Sequence, residues 1–265
     1  MELFKYQALG NAYLVCFDPG QLLSLTPKHI RQLCDPHYGL GSDGLLYSYP
    51  LPDPGRFRLK IYNPDASIAE KSGNGLRILA QFLFDTFGGD TVLIATDSGD
   101  CLCRKSGDTI CVDFGEPQFS GSLLPSPNTQ AVTLEGNTFN VTAVSMGNPH
   151  CVVWVADVQQ LKDDYVEHFG PQFETLPIFP EKTNVQFAYV ASPDKIWAQI
   201  WERGVGRTLS SGSSAAAVFA AAYRQQLCEP TVTVKMPGGS LQMELSGRSI
   251  LQYGHAERVA RCFTF

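Results

Sequence analysis

Two serine- and glycine-containing stretches each precede an apolar segment with helical character. EKSGNGLRILAQFL places Ser72 where a helix would begin, and LSSGSSAAAVFAAAY places Ser211 at the equivalent point. A helix N-terminus offers unpaired backbone N–H groups and about half a unit of positive charge, which suits an anion such as a carboxylate. Gly73, Gly75 and Gly212 would let a ligand approach that backbone closely. Each serine taken alone is also an ordinary helix N-cap.

Polar residues upstream of the two serines repeat in the same order. Asn63 and Glu202 each lie nine residues before the serine of their own stretch. Gly-Asn pairs that end at Asn11 and Asn148 lie farther upstream. Three matches in one order predict two similar halves. We expect the two helix N-termini to face one cleft, with one polar side chain on each side.

Short β-branched and aromatic runs separated by turn residues surround these stretches. The pattern predicts strands at 12–17, 44–49, 56–62, 91–96, 109–114, 138–146, 150–156, 184–190 and 195–201, and helices near 27–34, 74–87 and 213–226. The loop-like segment 116–130 is the natural boundary between the halves. Strands outnumber helices, which favours an α+β fold.

Composition narrows the class of protein. The chain has 265 residues, 44% hydrophobic residues and a net charge of −6, which argues against a nucleic-acid-binding or anionic-membrane-binding surface. We expect no secretory signal and no membrane span, and therefore a cytoplasmic protein whose eight cysteines are mostly reduced core residues. Cys101 and Cys103 more simply share one strand face than bind a metal.

One glycine motif invites a wrong interpretation. GLGSDG satisfies the dinucleotide-binding pattern G-x-G-x-x-G, but the proline-rich LLYSYPLPDPG follows it where a helix is required. We therefore reject a dinucleotide site. Nothing in the sequence indicates pyridoxal phosphate, flavin or a metal, so we expect no cofactor.

Several longer motifs together resemble the diaminopimelate epimerase family. NPDASIAEKSGNGLR is similar to its first signature and WERGVGRTLSSGSSAAA to its second, while LGNAYLV, GLGSDG, MGNPHCVV, TNVQFA and YGHAERVARCF follow in the family's order. The resemblance implies two pseudo-symmetric domains, each a curved mixed or antiparallel sheet wrapped around a central helix. The implied domains are residues 1–117 plus 253–265, and residues 118–252.

The activity implied by the resemblance is an isomerisation without a cofactor. It is the epimerisation of LL- to meso-diaminopimelate by two bases, for lysine biosynthesis and peptidoglycan precursors. A helix N-terminus stabilises the negative charge that develops as the α-proton leaves. The implied partner is a small amino acid rather than a nucleic acid or a membrane, and the implied assembly is a homodimer.

The resemblance also assigns roles to individual residues. Ser72 and Ser211 occupy the positions of the catalytic pair, and His150 and Glu202 those of residues that modulate its pKa. The implied substrate-binding residues are Asn11, Asn63, Gly73, Asn74, Asn148, Asn184, Glu202, Arg203, Gly212 and Ser213. Within this set Glu202 would bind the substrate ammonium, and Arg203 its distal carboxylate through a bidentate fork.

Departures from the family pattern bear on activity. The family carries cysteine where this chain has Ser72 and Ser211, and a hydroxyl is a far weaker acid than a thiol, whose pKa is about 8.5. The other departures are Gly44 for Gln, Ala66 for Gly, Ser214 for Gly and His255 for Pro. We interpret the serines as Cys→Ser replacements that inactivate both bases.

Three other functions stay open. The first is a racemase of another amino acid, such as glutamate or histidine, because Gly44 alters the substrate pocket. The second is a natural paralogue that binds an amino acid without chemistry. The third is an isomerase of the same fold that would use Glu202 as its base.

Overall fold

The computed structural model describes residues 1–264, and the chain divides into two compact units. Unit 1 comprises Met1–Asp113 and the chain from Tyr253 onward, and unit 2 comprises Phe114–Gln252. The division therefore falls a few residues before the predicted one after position 117. Backbone hydrogen bonds tie the intervening residues to unit 2, because Phe114 N donates to Ile250 O at 2.9 Å. Phe265, the end of the predicted segment 253–265, lies outside the described residues.

Strands and helices alternate in a similar order along both units. Numbered along the chain, the elements are β1 (Glu2–Ala8), β2 (Asn11–Phe17), α1 (Pro27–Cys34), β3 (Leu45–Pro50), β4 (Arg56–Tyr62), β5 (Ile68–Ala69), α2 (Gly73–Phe87), β6 (Thr91–Thr96), β7 (Gly99–Ser106), β8 (Thr109–Asp113), β9 (Thr129–Leu134), β10 (Asn137–Ser145), β11 (Pro149–Trp154), a 3₁₀ turn (Val158–Leu161), α3 (Asp163–Glu174), β12 (Asn184–Ser192), β13 (Lys195–Glu202), β14 (Gly206–Thr208), α4 (Gly212–Arg224), β15 (Thr231–Met236), β16 (Gly239–Ser246), β17 (Ser249–Gly254) and β18 (Glu257–Phe263). The fold class is α+β, as the sequence predicts.

The strand pairings of the two units repeat. In unit 1, β1 and β2 are antiparallel, β2 and β3 parallel, β3 and β4 antiparallel, and β4 and β6 parallel. In unit 2, β10 to β13 and β15 follow the same sequence of pairings. The strand that begins this series in each unit has a second antiparallel neighbour, which is β18 for β1 and β9 for β10. The prediction of two similar halves is confirmed at the level of topology.

One buried helix occupies the centre of each unit. Eleven of the fifteen residues of α2 and eleven of the thirteen residues of α4 are buried. Strands β1, β2, β6, β7 and β8 contact α2, and β10 to β13, β15 and β16 contact α4. A helix that is apolar on nearly every side is stable only when other elements enclose it. Phe82 illustrates this, since its ring lies 5.0 Å from that of Phe4 and 5.7 Å from that of Phe17.

The sequence prediction missed several elements. The strands β1, β5, β7, β9 and β14 to β18 were not predicted individually, and neither was helix α3. A glycine and a proline, Gly170 and Pro171, stand inside α3 and weaken its helical pattern. Packing explains the glycine, since a Cβ at position 170 would lie 2.5 Å from the ring of Trp201. Helix α4 also ends before the predicted residue 226, because Gln226 adopts a φ of 59°.

The turn between β4 and β5 holds an alanine in a left-handed conformation. Ala66 has a φ of 73°, and its N–H donates to Asn63 O at 2.9 Å. Asn63 N in turn donates to Ser67 O at 2.9 Å. A left-handed conformation is unfavourable for residues with a Cβ and natural for glycine. The turn therefore favours the glycine that the resemblance implies at this position.

We predict that Ala66→Gly raises the free energy of unfolding by about 1 kcal/mol, because removal of the Cβ relieves the backbone strain. Urea denaturation of both proteins measures the difference. Ala131→Gly is the matched control, since Ala131 is an exposed residue of β9 without a positive φ. The control should lower the free energy of unfolding by about 0.5–1 kcal/mol. A loss of stability in Ala66→Gly would contradict the strain argument.

Candidate active site

Ser72 is the N-cap of α2. It has an extended backbone with φ −138° and ψ 117°. Its Oγ accepts a hydrogen bond from Gly75 N at 3.0 Å, and its carbonyl accepts one from Leu76 N at 2.9 Å. A Cβ at Gly75 would lie 3.3 Å from Ser72 Oγ and 3.1 Å from Leu46 Cδ2. Glycine at this position therefore lets the first turn of the buried helix close tightly on its cap.

Ser211 caps α4 in the same manner. Its φ and ψ are −144° and 124°. Its Oγ accepts from Ser214 N at 3.4 Å, its carbonyl accepts from Ala215 N at 3.0 Å, and Ser213 Oγ lies 3.4 Å from its hydroxyl. The helices begin at Gly73 and Gly212, so the first N–H groups of each helix precede the amide that its serine caps. Both helix N-termini thus have the positive dipole end that binds anions.

Asn11 and Asn74, two predicted substrate-binding residues, contact each other in unit 1. Asn74 Nδ2 donates to Asn11 Oδ1 at 3.2 Å, and Asn11 Nδ2 donates to Asp43 Oδ2 at 3.1 Å. The guanidinium of Arg77, which is fully buried, donates to Asn74 Oδ1. Burial lowers the pKa of Arg77 to about 9, so the group still carries its charge at neutral pH. A buried cation therefore orients the carboxamide of Asn74 beside the helix N-terminus.

The remaining groups of unit 1 lie around the same helix start or in the preceding turn. Tyr13 Oη lies 3.4 Å from Ser72 Oγ. The ring of Tyr13 also fills the space beside Gly44, where a Cβ would lie 2.7 Å from Cε1 of the tyrosine. Asn63 follows β4, and its Nδ2 donates to Ser67 Oγ at 2.9 Å, within its own turn. The same Cβ would lie 2.5 Å from the backbone oxygen of Tyr62, so a glutamine at position 44 would require both Tyr13 and this backbone to move.

The predicted site residues of unit 2 form two groups. In the first, His150 Nε2 lies 2.8 Å from Asn148 Oδ1. In the second, Asn184 Oδ1 accepts from Arg203 N at 3.0 Å, and Asn184 Nδ2 donates to Pro149 O at 3.1 Å. Asn184 therefore holds the backbone at the start of β11 and at the end of β13.

Glu202 and Arg203, which lie at the end of β13, form hydrogen bonds with neighbouring segments. Glu202 Oε1 accepts from Thr208 Oγ1 at 2.8 Å, and the guanidinium of Arg203 donates to Glu181 O at 3.3 Å. Both residues are partly exposed. Their charges can therefore reach a ligand without the cost of full burial.

His150 is fully buried, and burial lowers its pKa to about 3, with the positive charge of Arg203 acting in the same direction. A hydrogen bond with Gln186 partly opposes that shift. The imidazole is therefore neutral at physiological pH. It can orient neighbouring groups or act on the site as a dipole, but it does not serve there as a cation.

Sequence reasoning missed Gln186, Tyr13, Asp43 and Arg77, which all contact predicted site residues. Gln186 could have been predicted, because it lies two residues after Asn184 on a predicted strand and alternate residues of a strand share a face. Arg77 could also have been noticed, since it is the one charged residue between positions 76 and 84, an otherwise largely apolar helical run. Tyr13 and Asp43 meet the site only through the pairing of distant segments, which the sequence did not predict.

The eight cysteines are free thiols, and six of them are buried. Among residues 1–264, no group of three or more His, Cys, Asp or Glu side chains could hold a metal ion. No helix in the described part of the chain is long and apolar enough to cross a membrane.

Solved structures of two proteins described as epimerases share this fold. The structure has a TM-score of 0.72 with a hydroxyproline epimerase from Agrobacterium vitis, at 13% identity over 99% of this chain and 91% of that one. It has a TM-score of 0.71 with a predicted epimerase from Pseudomonas aeruginosa, at 18% identity over 98% of each chain. At these identities the similarity shows a shared fold.

Sequence comparison gives the family. The profile described as diaminopimelate epimerase matches residues 3–120 and 142–259. Diaminopimelate epimerase 2 of Nostoc sp. is 38% identical over 92% of this chain and 88% of its own length. The diaminopimelate epimerase of Cyanothece sp. is 35% identical over 98% of both, and that of Microcystis aeruginosa is 39% identical over 91% and 90%. The protein belongs to the diaminopimelate epimerase family.

The buried imidazole predicts a specific pH dependence of stability. The folded-state pKa of His150, about 3, lies below the ordinary value of about 6.5. The unfolded chain therefore binds a proton first, so stability is present above pH 6.5 and is lost as the pH falls towards 3. Lowering the pH from 7 to 5 should therefore reduce the free energy of unfolding by about 2 kcal/mol through His150.

Urea denaturation at pH 7 and pH 5 measures this loss. The His150→Gln variant keeps a polar group at the position but lacks the titration, so it should lose less stability over the same interval by about that amount. Equal losses in the two proteins would contradict a neutral buried imidazole.

Proposed function

We propose that this protein binds diaminopimelate at the helix N-termini capped by Ser72 and Ser211, and that the chain as written converts LL- to meso-diaminopimelate very slowly. Family membership carries the assignment, since named diaminopimelate epimerases match nearly the whole chain at 35–39% identity. The two capped helices, with the same cap geometry in both units, support it. A small amino acid is the partner. The cytoplasmic location, inferred from the sequence, and the homodimer, implied by the resemblance, remain predictions.

The proposed chemistry has two parts with different requirements. Binding of the α-carboxylate needs backbone N–H groups and the dipole ends of helices α2 and α4. Inversion needs a base on one face of the α-carbon and an acid on the other, which are the positions we propose for Ser72 and Ser211. Negative charge that develops as the α-proton leaves is stabilised by the same N–H groups.

A helix capped by serine can still bind the α-carboxylate, but serine does not supply the base that inversion needs. A hydroxyl is far less acidic than a thiol, and a helix N-terminus lowers a pKa by only a few units. A serine also becomes a nucleophile or base when a neighbouring base accepts its proton. Among residues 1–264, neither serine hydroxyl forms a hydrogen bond with a His, Lys, Asp or Glu side chain; their partners are Gly75, Tyr13, Ser213 and Ser214.

The surrounding residues take the binding roles in this proposal. The carboxamides of Asn11, Asn63, Asn148 and Asn184 bind polar groups of the substrate. Glu202 binds its ammonium group, and Arg203 binds the distal carboxylate. The amides at Gly73, Asn74, Gly212 and Ser213 bind the α-carboxylate. His150 stays neutral and modulates the catalytic pair as a dipole.

A second candidate is a racemase of another amino acid. Gly44 and Tyr13 favour it, because the tyrosine ring fills the space that the family's glutamine side chain would need. Such a change alters the substrate pocket while leaving the two helix N-termini intact. Glutamate and histidine are the substrates to compare with diaminopimelate.

The proposal is tested by binding and by exchange of the α-proton. Calorimetry should show that the unaltered protein binds diaminopimelate, and NMR in D₂O should show very slow α-deuterium incorporation into the LL and meso isomers. The double variant Ser72→Cys, Ser211→Cys should accelerate exchange by about 10²–10⁴-fold, the usual contribution of a competent acid–base pair. Glutamate and histidine are measured in parallel.

A matched control adds two cysteines at exposed serines, Ser122→Cys and Ser246→Cys, and should leave exchange unchanged. Rapid exchange in the unaltered protein would show that serine serves as the base here. Binding without restored exchange in the double cysteine variant would identify a non-catalytic binding protein. Absence of both would contradict the proposed function, and restored exchange confined to glutamate or histidine would establish the racemase.

A further inference from the structure

A buried glutamine connects the histidine of unit 2 to the first turn of α4. Gln186, in β12, is fully buried. Its Nε2 lies 3.0 Å from His150 Nδ1 and 2.9 Å from Ser214 Oγ. The other ring nitrogen, His150 Nε2, lies 2.8 Å from Asn148 Oδ1. A continuous hydrogen-bonded chain therefore runs from the helix that Ser211 caps to the partly exposed side chain of Asn148.

The direction of this chain follows from the donors that each group carries. A primary amide nitrogen has two N–H groups and no lone pair to offer, so Gln186 donates both to Ser214 Oγ and to His150 Nδ1. His150 Nδ1 must then accept, and the single proton of the neutral ring lies on Nε2. That proton is donated to Asn148 Oδ1. The amide nitrogen of Asn148 is thereby left to donate to a ligand.

The opposite direction is less favourable. In the present arrangement one buried acceptor of this group, Gln186 Oε1, has no hydrogen-bond partner. Rotating the amide would let the oxygen accept from Ser214 and from a proton on His150 Nδ1. It would also bury an NH₂ group where Oε1 now lies, leaving two donors without partners. Unpaired buried donors are costly, so the present direction is preferred.

We propose that Gln186 is a positioning residue: it fixes His150 in the Nε2–H tautomer and so directs the amide N–H groups of Asn148 towards a carboxylate ligand. This inference rests on the proposed function only for the identity of that ligand. Ser214, which stands where the family has glycine, supplies the second acceptor and ties the arrangement to α4. Neither residue touches the reacting atoms in this proposal, so the effect on binding passes through His150 and Asn148.

The tautomer is measured directly by ¹⁵N NMR of protein labelled at histidine. The His150 signals are assigned by their loss in His150→Gln, since the chain has five histidines. The unaltered protein without ligand should show a protonated Nε2 and an unprotonated Nδ1 at neutral pH. A protonated Nδ1 would overturn the proposal without the need for any other variant.

The variant Gln186→Glu should reverse the direction of these hydrogen bonds while nearly preserving the shape of the side chain. A carboxylate only accepts, so at a pH where the imidazole is neutral its proton should move to Nδ1, and Asn148 should turn its oxygen towards the ligand. Affinity for diaminopimelate should then fall about tenfold or more, as expected for the loss of a hydrogen bond to a charged group. Retention of the Nε2–H tautomer in this variant would contradict the proposal.

Gln199→Glu is the matched control. Gln199 lies on the neighbouring strand β13, opposite Phe187, and its Nε2 donates to Leu161 O at 2.9 Å. The same change there should leave the His150 tautomer and the affinity unaltered.

Ser214→Gly provides a second, milder variant in case Gln186→Glu does not fold. It removes one acceptor and should keep the Nε2–H tautomer; a shift of the proton to Nδ1 would contradict the direction assigned to the chain.

The outcomes separate this inference from the proposed function. If the unaltered protein binds no diaminopimelate, the function fails, yet the tautomers of the unaltered protein and Gln186→Glu still decide the role of Gln186. If the unaltered protein binds and Gln186→Glu binds equally well, the function stands and the positioning role is overturned.

Discussion

A helix enclosed on nearly all sides must still satisfy the N–H groups of its first turn, and this constraint organises each unit. Water cannot reach most of α2 or α4, so an internal acceptor is needed at each start. Ser72 and Ser211 supply it with their hydroxyl oxygens. Each cap leaves the earliest amides of its helix at the position where the dipole attracts an anion. The same device therefore completes the fold and provides the N–H groups of the proposed binding site.

The cap and the proposed chemistry make different demands on the same side chain. A cap needs an oxygen or sulfur lone pair at the right distance from the backbone, and serine is among the favoured residues for that purpose. A base needs a group that ionises near neutral pH, which a thiol approaches and a hydroxyl does not. Serine at both positions therefore meets the requirement of the cap but not that of a base.

The units share a topology but differ in how they hold their polar groups. In unit 1, the buried charge of Arg77 orients Asn74, which contacts Asn11 and, through it, the exposed carboxylate of Asp43. In unit 2, a neutral and fully buried imidazole takes that place. A buried cation suits unit 1 because the carboxamide oxygen of Asn74 accepts from it, whereas burial next to Arg203 favours a neutral ring in unit 2. A repeated fold thus carries two different electrostatic environments.

The sequence by itself determined the local features of this protein. Serine followed by glycine and an apolar run predicted both central helices within two residues of their ends, and repeated spacing predicted two similar halves. Caps, turns and periodicity act over a few residues, so they can be read without a fold. Local rules failed at α3, where Gly170 and Pro171 interrupt the pattern. Only the packing of Gly170 against Trp201 compensates for a glycine in a helix.

Tertiary structure alone decided which side chains meet. Tyr13 reaches Ser72, and Gln186 bridges His150 and Ser214, because strand pairings bring together residues that are far apart in the sequence. The neutrality of His150 likewise depends on complete burial, which no run of neighbouring residues specifies. Hydrogen-bond direction and pKa depend on the whole environment of a group, and that environment exists only once the chain has folded.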